Sequence, residues 1–298
     1  MVFCCPKIII FLKGTKKMKK IFALLLAVMM IASFAACGNG GQGEEPQDGE
    51  KFTLRVGMEC QYAPYNWTQI DDSNGAVPIA NNPGSYANGY DVMMAKKLCE
   101  EYGWDLEVYA IEWGGLTPAL QSDTIDMVIA GQSMTEERMA EVDMAGPYFY
   151  ASIVCVTKKD SPLASASGIS ELSGTCTAQT STIWYNSCLP QIEGADIQTA
   201  AETAPAMIMA VESGTVDFIC TAMPTAMGAC ATYDDLTILD FSDTDDNFEV
   251  DEGEINIGVS VEKGNTDLLT KANDFFGKMT ADDFNRIMDE AIAVQPEL

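Results

Sequence analysis

Residues 112–150 read EWGGLTPALQSDTIDMVIAGQSMTEERMAEVDMAGPYFY. Leu116 to Leu120 has the apolar spacing of a short helix, and DMVIA (126–130) is an apolar run of strand length. A polar turn follows the strand, and Thr135 stands where the N-cap of the next helix belongs, with Glu136 and Glu137 in its first turn. A buried strand with helical patterns on both sides is one unit of a parallel α/β sheet.

Working outward, LRVGM (54–58) is a second short buried strand. Residues 90–102 put Met94, Ala95, Leu98 and Tyr102 on one helical face, and DLEVYAI (105–111) alternates as a half-buried strand does. The resulting βαβαβ order predicts a mostly parallel sheet. A second such unit begins near Ala151. Its strands are SIVCVTK, DFICTA, LTILDF and a long EINIGVSVEKG; GTCTAQT leads into a helix near Ser181, and another helix spans about 204–213. Amphipathic helices at about 265–278 and 281–293 end the chain. The fold class is therefore α/β in two lobes, with a cleft between them. Ligands of such sheets sit beyond the carboxyl ends of the strands.

The N-terminal segment reads differently. Lys16, Lys17, Lys19 and Lys20 precede an apolar run from Ile21 to Phe34, then Ala35, Ala36 and Cys37. Charge, a short apolar core and small residues in that order form a secretion signal, here residues 1–36. The apolar run falls short of the ~20 residues that span a bilayer. Cys37 after two alanines resembles a lipobox, in which the cysteine is acylated and becomes the new N-terminus; Phe34 replaces the usual leucine. Met18 gives a signal of better proportions than Met1. Residues 37–51, rich in Gly, Gln and acids, read as a flexible tether. Gly38, Gly40 and Gly43 have GxGxxG spacing but lack the strand and helix that give it meaning.

Residues 1–36 hold six of the 17 basic side chains and none of the 44 acids, so the remainder carries a net charge of −33. Such a surface repels nucleic acid and anionic headgroups. The chain has no histidine, which excludes Ser-His-Asp and Cys-His catalysis and most zinc sites. Seven cysteines besides Cys37 follow the signal, with no CxxC pair; several lie in apolar runs and read as buried thiols. No cofactor is expected. Asp243, Asp245, Asn247, Glu249, Asp251 and Glu254 have the oxygen spacing of a calcium loop, but Phe248 occupies the obligatory glycine position, so they read as a solvated acidic loop and no metal site.

Arg138 is one of three arginines and lies just past a buried strand. A cation in a first helical turn opposes the dipole and calls for an anion, either a ligand carboxylate or a neighbouring Glu. Thr180, Ser181 and Thr182 precede a helix carrying Trp184, where they either expose N–H groups to an anion or simply cap the helix. Tyr62, Tyr65, Trp67 and Trp113 are either pocket walls or core.

LRVGMECQYAPYNW (54–67), GYDVMMAKKLCEEYGW (89–104), residues 112–150 and NIGVSVEKGN (256–265) together resemble the bacterial extracellular solute-binding proteins of family 3, the amino-acid receptors of ABC transporters. The resemblance spans about 52–295 and implies two α/β lobes joined by two crossing strands and closing by hinge motion. Lobe one would be 52–149 plus 262–298, and lobe two 150–261. It implies that Arg138 clamps a ligand α-carboxylate, that Ser133 donates to the same group, and that Gly131 offers its carbonyl to the α-ammonium. Ser181 and Thr182 would bind the carboxylate from lobe two. Tyr62 and Trp113 would pack on the ligand side chain, and Glu59 would lie near its polar end. The chain departs from the family at Ala222, where an aspartate normally meets the α-ammonium; Glu59 is the candidate substitute, or the ligand is not an ordinary α-amino acid. The insert DDSNGAVPIANNPGSYANG (71–89) is expected to wall one side of the cleft. The resemblance implies a monomeric, lipid-anchored, extracytoplasmic binding protein that partners an ABC permease and is not an enzyme. Alternatives are a dehydratase-like enzyme acting on a prephenate-like acid, with Glu59 as general acid, a binding protein for a non-amino organic acid, or a signalling receptor lobe.

Overall fold

A computed structural model describes residues 51–296, apart from the Glu252 side chain. The signal, Cys37 and the glycine motif lie outside the described residues. The strands are β1 (Thr53–Met58), β2 (Gln61–Tyr62), β3 (Asn66–Gln69), β4 (Val77–Pro78), β5 (Tyr86–Asn88), β6 (Asp105–Ala110), β7 (Met127–Ser133) and β8 (Asp143–Phe149). They continue with β9 (Ile153–Lys158), β10 (Ser173–Thr177), β11 (Gly194–Ile197), β12 (Phe218–Ala222), β13 (Leu236–Leu239) and β14 (Ile257–Val261).

Two five-stranded sheets share one plan. The first runs β6-β1-β7-β14-β8 and the second β11-β10-β12-β9-β13. In each, three parallel strands are followed by one antiparallel strand that the chain supplies on crossing between lobes: β14 in the first, β9 in the second. The central strands are apolar throughout, as strands covered on both faces must be; every residue of β12 and β14 is buried.

The helix Tyr90–Tyr102 forms as its periodicity predicts, burying Met94, Ala95 and Leu98 and ending at Gly103 in the left-handed conformation. Its start requires Gly89: at φ +123°, a Cβ there would overlap the carbonyl of Tyr65. The closing helices Thr266–Phe276 and Ala281–Val294 also form, the second with a capping box between Thr280 and Asp283. No helix among the described residues is long and apolar enough to cross a membrane.

Three expectations need correction. Residues 257–261, assigned above to lobe two, form β14 and pair with β7 and β8 of the first sheet, so the second crossing precedes residue 257. The long strand expected at 254–264 is instead a helical turn, Glu252–Ile255, followed by five strand residues; Asp251 caps the turn through the Gly253 amide. The insert 71–89 does not wall the cleft. With β2 to β5 it forms a small antiparallel sheet against the outer edge of β6, where Ala80 donates to Val108 and Asn81 exchanges two hydrogen bonds with Ala110. It thereby covers an open sheet edge. All seven cysteines among the described residues are free thiols, six of them buried.

Candidate functional site

Arg138 sits on the short helix Glu136–Glu141 behind the carboxyl end of β7, and the Thr135 hydroxyl accepts from its amide as an N-cap. Its guanidinium donates to the Ser133 carbonyl and reaches the Ser181 carbonyl of the other lobe at 3.5 Å. The cation lies over the Trp113 ring, 5.5 Å from its centroid. No ion pair to Arg138 is found among the described residues. Burial pushes its pKa down to about 10, although Glu137 and Glu141 oppose the fall. A half-desolvated guanidinium with no carboxylate in ion-pair contact retains the capacity to take an anionic partner.

Arg138 faces a cavity of about 580 Å³ between the lobes. Trp113, Thr117 and Gln132 contribute from the first lobe, and Ser181, Thr182 and Asn186 from the second, with Glu137, Glu141 and Glu254 also on its wall. Four expected site residues therefore share one cavity: Arg138, Trp113, Ser181 and Thr182. The helix expected from Ser181 begins two residues later and is irregular, with a π turn at Trp184–Cys188 and a 3-10 turn after it. Ser181 takes the left-handed conformation, and the Thr182 hydroxyl donates to Gln179 O and accepts from Tyr185 N. Thr182 thus also does the capping that the alternative reading assigned to it.

Glu59, Tyr62, Gly131 and Ser133 do not line that cavity; Glu59 and Tyr62 lie where the lobes touch, and Gly131 and Ser133 lie on β7. Glu59 follows β1, is 4% exposed, and accepts from Gln179 Nε2 at 3.3 and 3.4 Å. Burial pushes its carboxyl up to about 7, against the lowering effect of Gln179 and with a further rise from Asp91. Tyr62 stacks on Tyr65 and its hydroxyl accepts from Thr225 Oγ1 at 3.2 Å, again across the lobes. Ser133 ends β7, buried. Gly131 has φ +61°, and a Cβ there would meet the Tyr62 ring at 2.9 Å. Ala222 is buried at the N-cap of the helix Met223–Thr232, and Thr225 lies three residues further on. Tyr65 and Trp67 are core, not pocket wall. Among the described residues no cluster of metal-ligating side chains is found.

Gln179, Thr225 and Gln132 escaped the sequence reading. Gln179 carried a usable signal, a polar residue ending the buried strand pattern TCTAQ. Thr225 carried none, because only the seating of its helix turns it toward Tyr62.

The family of bacterial extracellular solute-binding proteins, family 3, is matched over residues 54–292. The arginine-binding extracellular protein ArtP of Bacillus subtilis is 32% identical over 148 residues, 50% of this chain and 51% of that protein, so that match spans about half of either. The ABC transporter glutamine-binding protein GlnH of the same organism is 26% identical over 274 residues, 89% of this chain and 94% of that one. The solved amino acid ABC transporter substrate-binding protein of Streptococcus pneumoniae Canada MDR_19A, bound to L-arginine, superposes with a TM-score of 0.69 over 81% of this chain and 94% of that one; at 20% identity this is a likeness of fold. With both sheets and the cleft between them inside the matched span, the chain belongs to the bacterial extracellular solute-binding proteins, family 3.

Proposed function

We propose that this protein is the extracytoplasmic solute-binding component of an ABC importer and captures an amino acid between its lobes, with the α-carboxylate on Arg138. The observation that carries this reading is a guanidinium facing an interlobe cavity with only carbonyls and an indole for partners. Ser133, Ser181 and Thr182 complete the carboxylate site, Trp113 and Tyr62 pack on the side chain, and Gly131 with Glu59 receives the ammonium in place of the aspartate absent at 222. The protein acts as a monomer and hands its solute to a permease without chemical change. A single decisive measurement is mass spectrometry of small molecules released from the purified protein, followed by calorimetry with each of the twenty L-amino acids. Recovery of only nitrogen-free acids, with no amino acid binding, would overturn the amino-acid assignment.

A dehydratase reading draws on one observation, a Glu59 carboxyl held at about 7 where a general acid would titrate. Against it stands the match over residues 54–292 to a family of solute-binding proteins. Anchoring through Cys37 is part of the same proposal. Labelled palmitate is expected to enter the wild type and not Cys37→Ala; equal labelling of both would remove the anchor.

A further inference from the structure

Asp91 is a fully buried carboxylate that neither the ligand site nor the hinge uses, at the start of the helix Tyr90–Tyr102. Burying such a group is costly unless its oxygens are fully hydrogen-bonded. Here they are. Tyr148 donates its hydroxyl to Asp91 Oδ1 at 2.6 Å, and Asn66 Nδ2 donates to Oδ2 at 2.7 Å. Each partner carries the chain of bonds one step further, to a backbone amide. The Tyr148 hydroxyl accepts from Gly131 N at 2.9 Å, and Asn66 Oδ1 accepts from Cys60 N at 2.6 Å. Both amides belong to residues with positive φ, +61° at Gly131 and +56° at Cys60. Cys60 directly follows Glu59, and Gly131 stands two residues before Ser133. One carboxylate thus terminates two relays that fix two left-handed backbone positions at the lobe-one binding residues.

We propose that Asp91 is the positioning residue of the lobe-one half of the site, holding Glu59 through Asn66 and Cys60 and holding Gly131 through Tyr148. This rests on the binding reading above for its consequence, but its geometry can be tested without any ligand. The relay has a direction that substitutions can break and restore. In Asp91→Asn the new amide has one acceptor for two arms: with its oxygen toward Tyr148 it turns an NH2 toward the Asn66 NH2, and with its oxygen toward Asn66 it turns that NH2 toward the Tyr148 hydroxyl, whose proton then loses its acceptor. Flipping Asn66 only moves the conflict to the Cys60 amide. The double variant Asn66→Asp with Asp91→Asn swaps the two side chains and restores every bond. The carboxylate now at position 66 accepts from Cys60 N and from the amide now at position 91, and that amide's oxygen accepts from Tyr148.

Amide hydrogen exchange is measured first, on ligand-free protein. Loss of one buried hydrogen bond corresponds to about a tenfold change or more in local opening. Exchange should rise at least tenfold in Asp91→Asn at Cys60, or at Gly131 where the new amide turns its oxygen to Asn66, and return to the wild-type rate at both in the double variant. Tyr148→Phe should raise exchange at Gly131 and spare Cys60. Affinities for each of the twenty L-amino acids are then measured by calorimetry, and the tightest wild-type binder should weaken about tenfold in Asp91→Asn and recover in the double variant. Asp91→Asn exchanging like the wild type at both Cys60 and Gly131, or a double variant no better than Asp91→Asn at the amide that it exposes, would overturn the relay. If Asp91→Asn does not fold, a folded double variant supports the relay; failure of both, with Tyr148→Phe protected at Gly131, overturns it. If the wild type binds no amino acid, the binding proposal fails while the exchange rates still decide the relay.

Discussion

Arg138→Ala is expected to lower affinity for the captured amino acid a hundredfold or more while leaving the fold intact. The guanidinium is desolvated enough to bring its pKa to about 10, with Glu137 and Glu141 near enough to oppose the fall but no carboxylate among the described residues in ion-pair contact. A ligand carboxylate at this point completes a pair in a medium of low polarity, and removing one member of such a pair costs about 3–5 kcal/mol. At about 1.4 kcal/mol per factor of ten, that is at least two orders of magnitude in Kd. The fold should tolerate the change, because Arg138 lies on a six-residue helix with no buried residue and its main structural bond is to one carbonyl at a strand end. Arg138→Lys should recover only part of the affinity, since an ammonium cannot make the bidentate contact or lie flat on Trp113. Calorimetry with the wild-type ligand, beside a thermal melt of each variant, checks both halves. Near-normal affinity in the alanine variant would remove Arg138 from the site.

Glu59→Gln is expected to make the ligand-free protein more stable at pH 8 and to leave it unchanged at pH 4. The Glu59 carboxyl moves from 4.5 to about 7 on folding because burial disfavours its charge. Between those values the folded protein holds a proton that the unfolded chain has released. Stability therefore falls as pH rises from about 4.5 to 7 and is flat above. Asp91, raised from 3.8 to about 7 chiefly by burial, contributes with the same sign. The displacement at Glu59 corresponds to about 3 kcal/mol at ~1.4 kcal/mol per pH unit. Glutamine has no charge to desolvate and can still accept from Gln179. Urea melts at pH 4 and pH 8 measure the difference; equal stability of the two proteins at pH 8 would mean that Glu59 is hydrated in the native state. The same variant reports on function. It should weaken an α-amino acid far more than the des-amino acid of the same skeleton, because only the former brings a cation for Glu59 to meet. A site that trades stability for ligand charge accounts for both results together.

The extent to which the site is legible from sequence follows from which groups are local. Arg138, with its Thr135 cap and its place after DMVIA, is set by its neighbours in the chain, so its position is readable from the sequence. Trp113, Ser181 and Thr182 could be named as candidates, but sequence did not separate pocket from core or cap; Tyr65 and Trp67, from the same aromatic cluster, are core. Glu59 was readable as an acid after the first strand. Its burial against Gln179, 120 positions away in the chain, was not. The cross-lobe bond of Tyr62 with Thr225 and the double relay through Asp91 were equally invisible, since each joins residues whose proximity is created only by packing.

By itself, then, the sequence determined the α/β alternation, the two-unit order and most of the longer helices, though not Met223–Thr232, because apolar periodicity and capping residues act over a few positions and that helix has no side-chain cap. It also determined the acidic character and the absence of histidine chemistry. The tertiary structure alone decided that β14 returns to the first sheet and that the insert at 71–89 seals the edge of β6 instead of the cleft. It alone decided which of the acids became buried. Strand pairing is chosen by whichever edge buries the most apolar surface, and the pKa of a carboxyl is set by everything packed around it; neither quantity exists until distant parts of the chain have met.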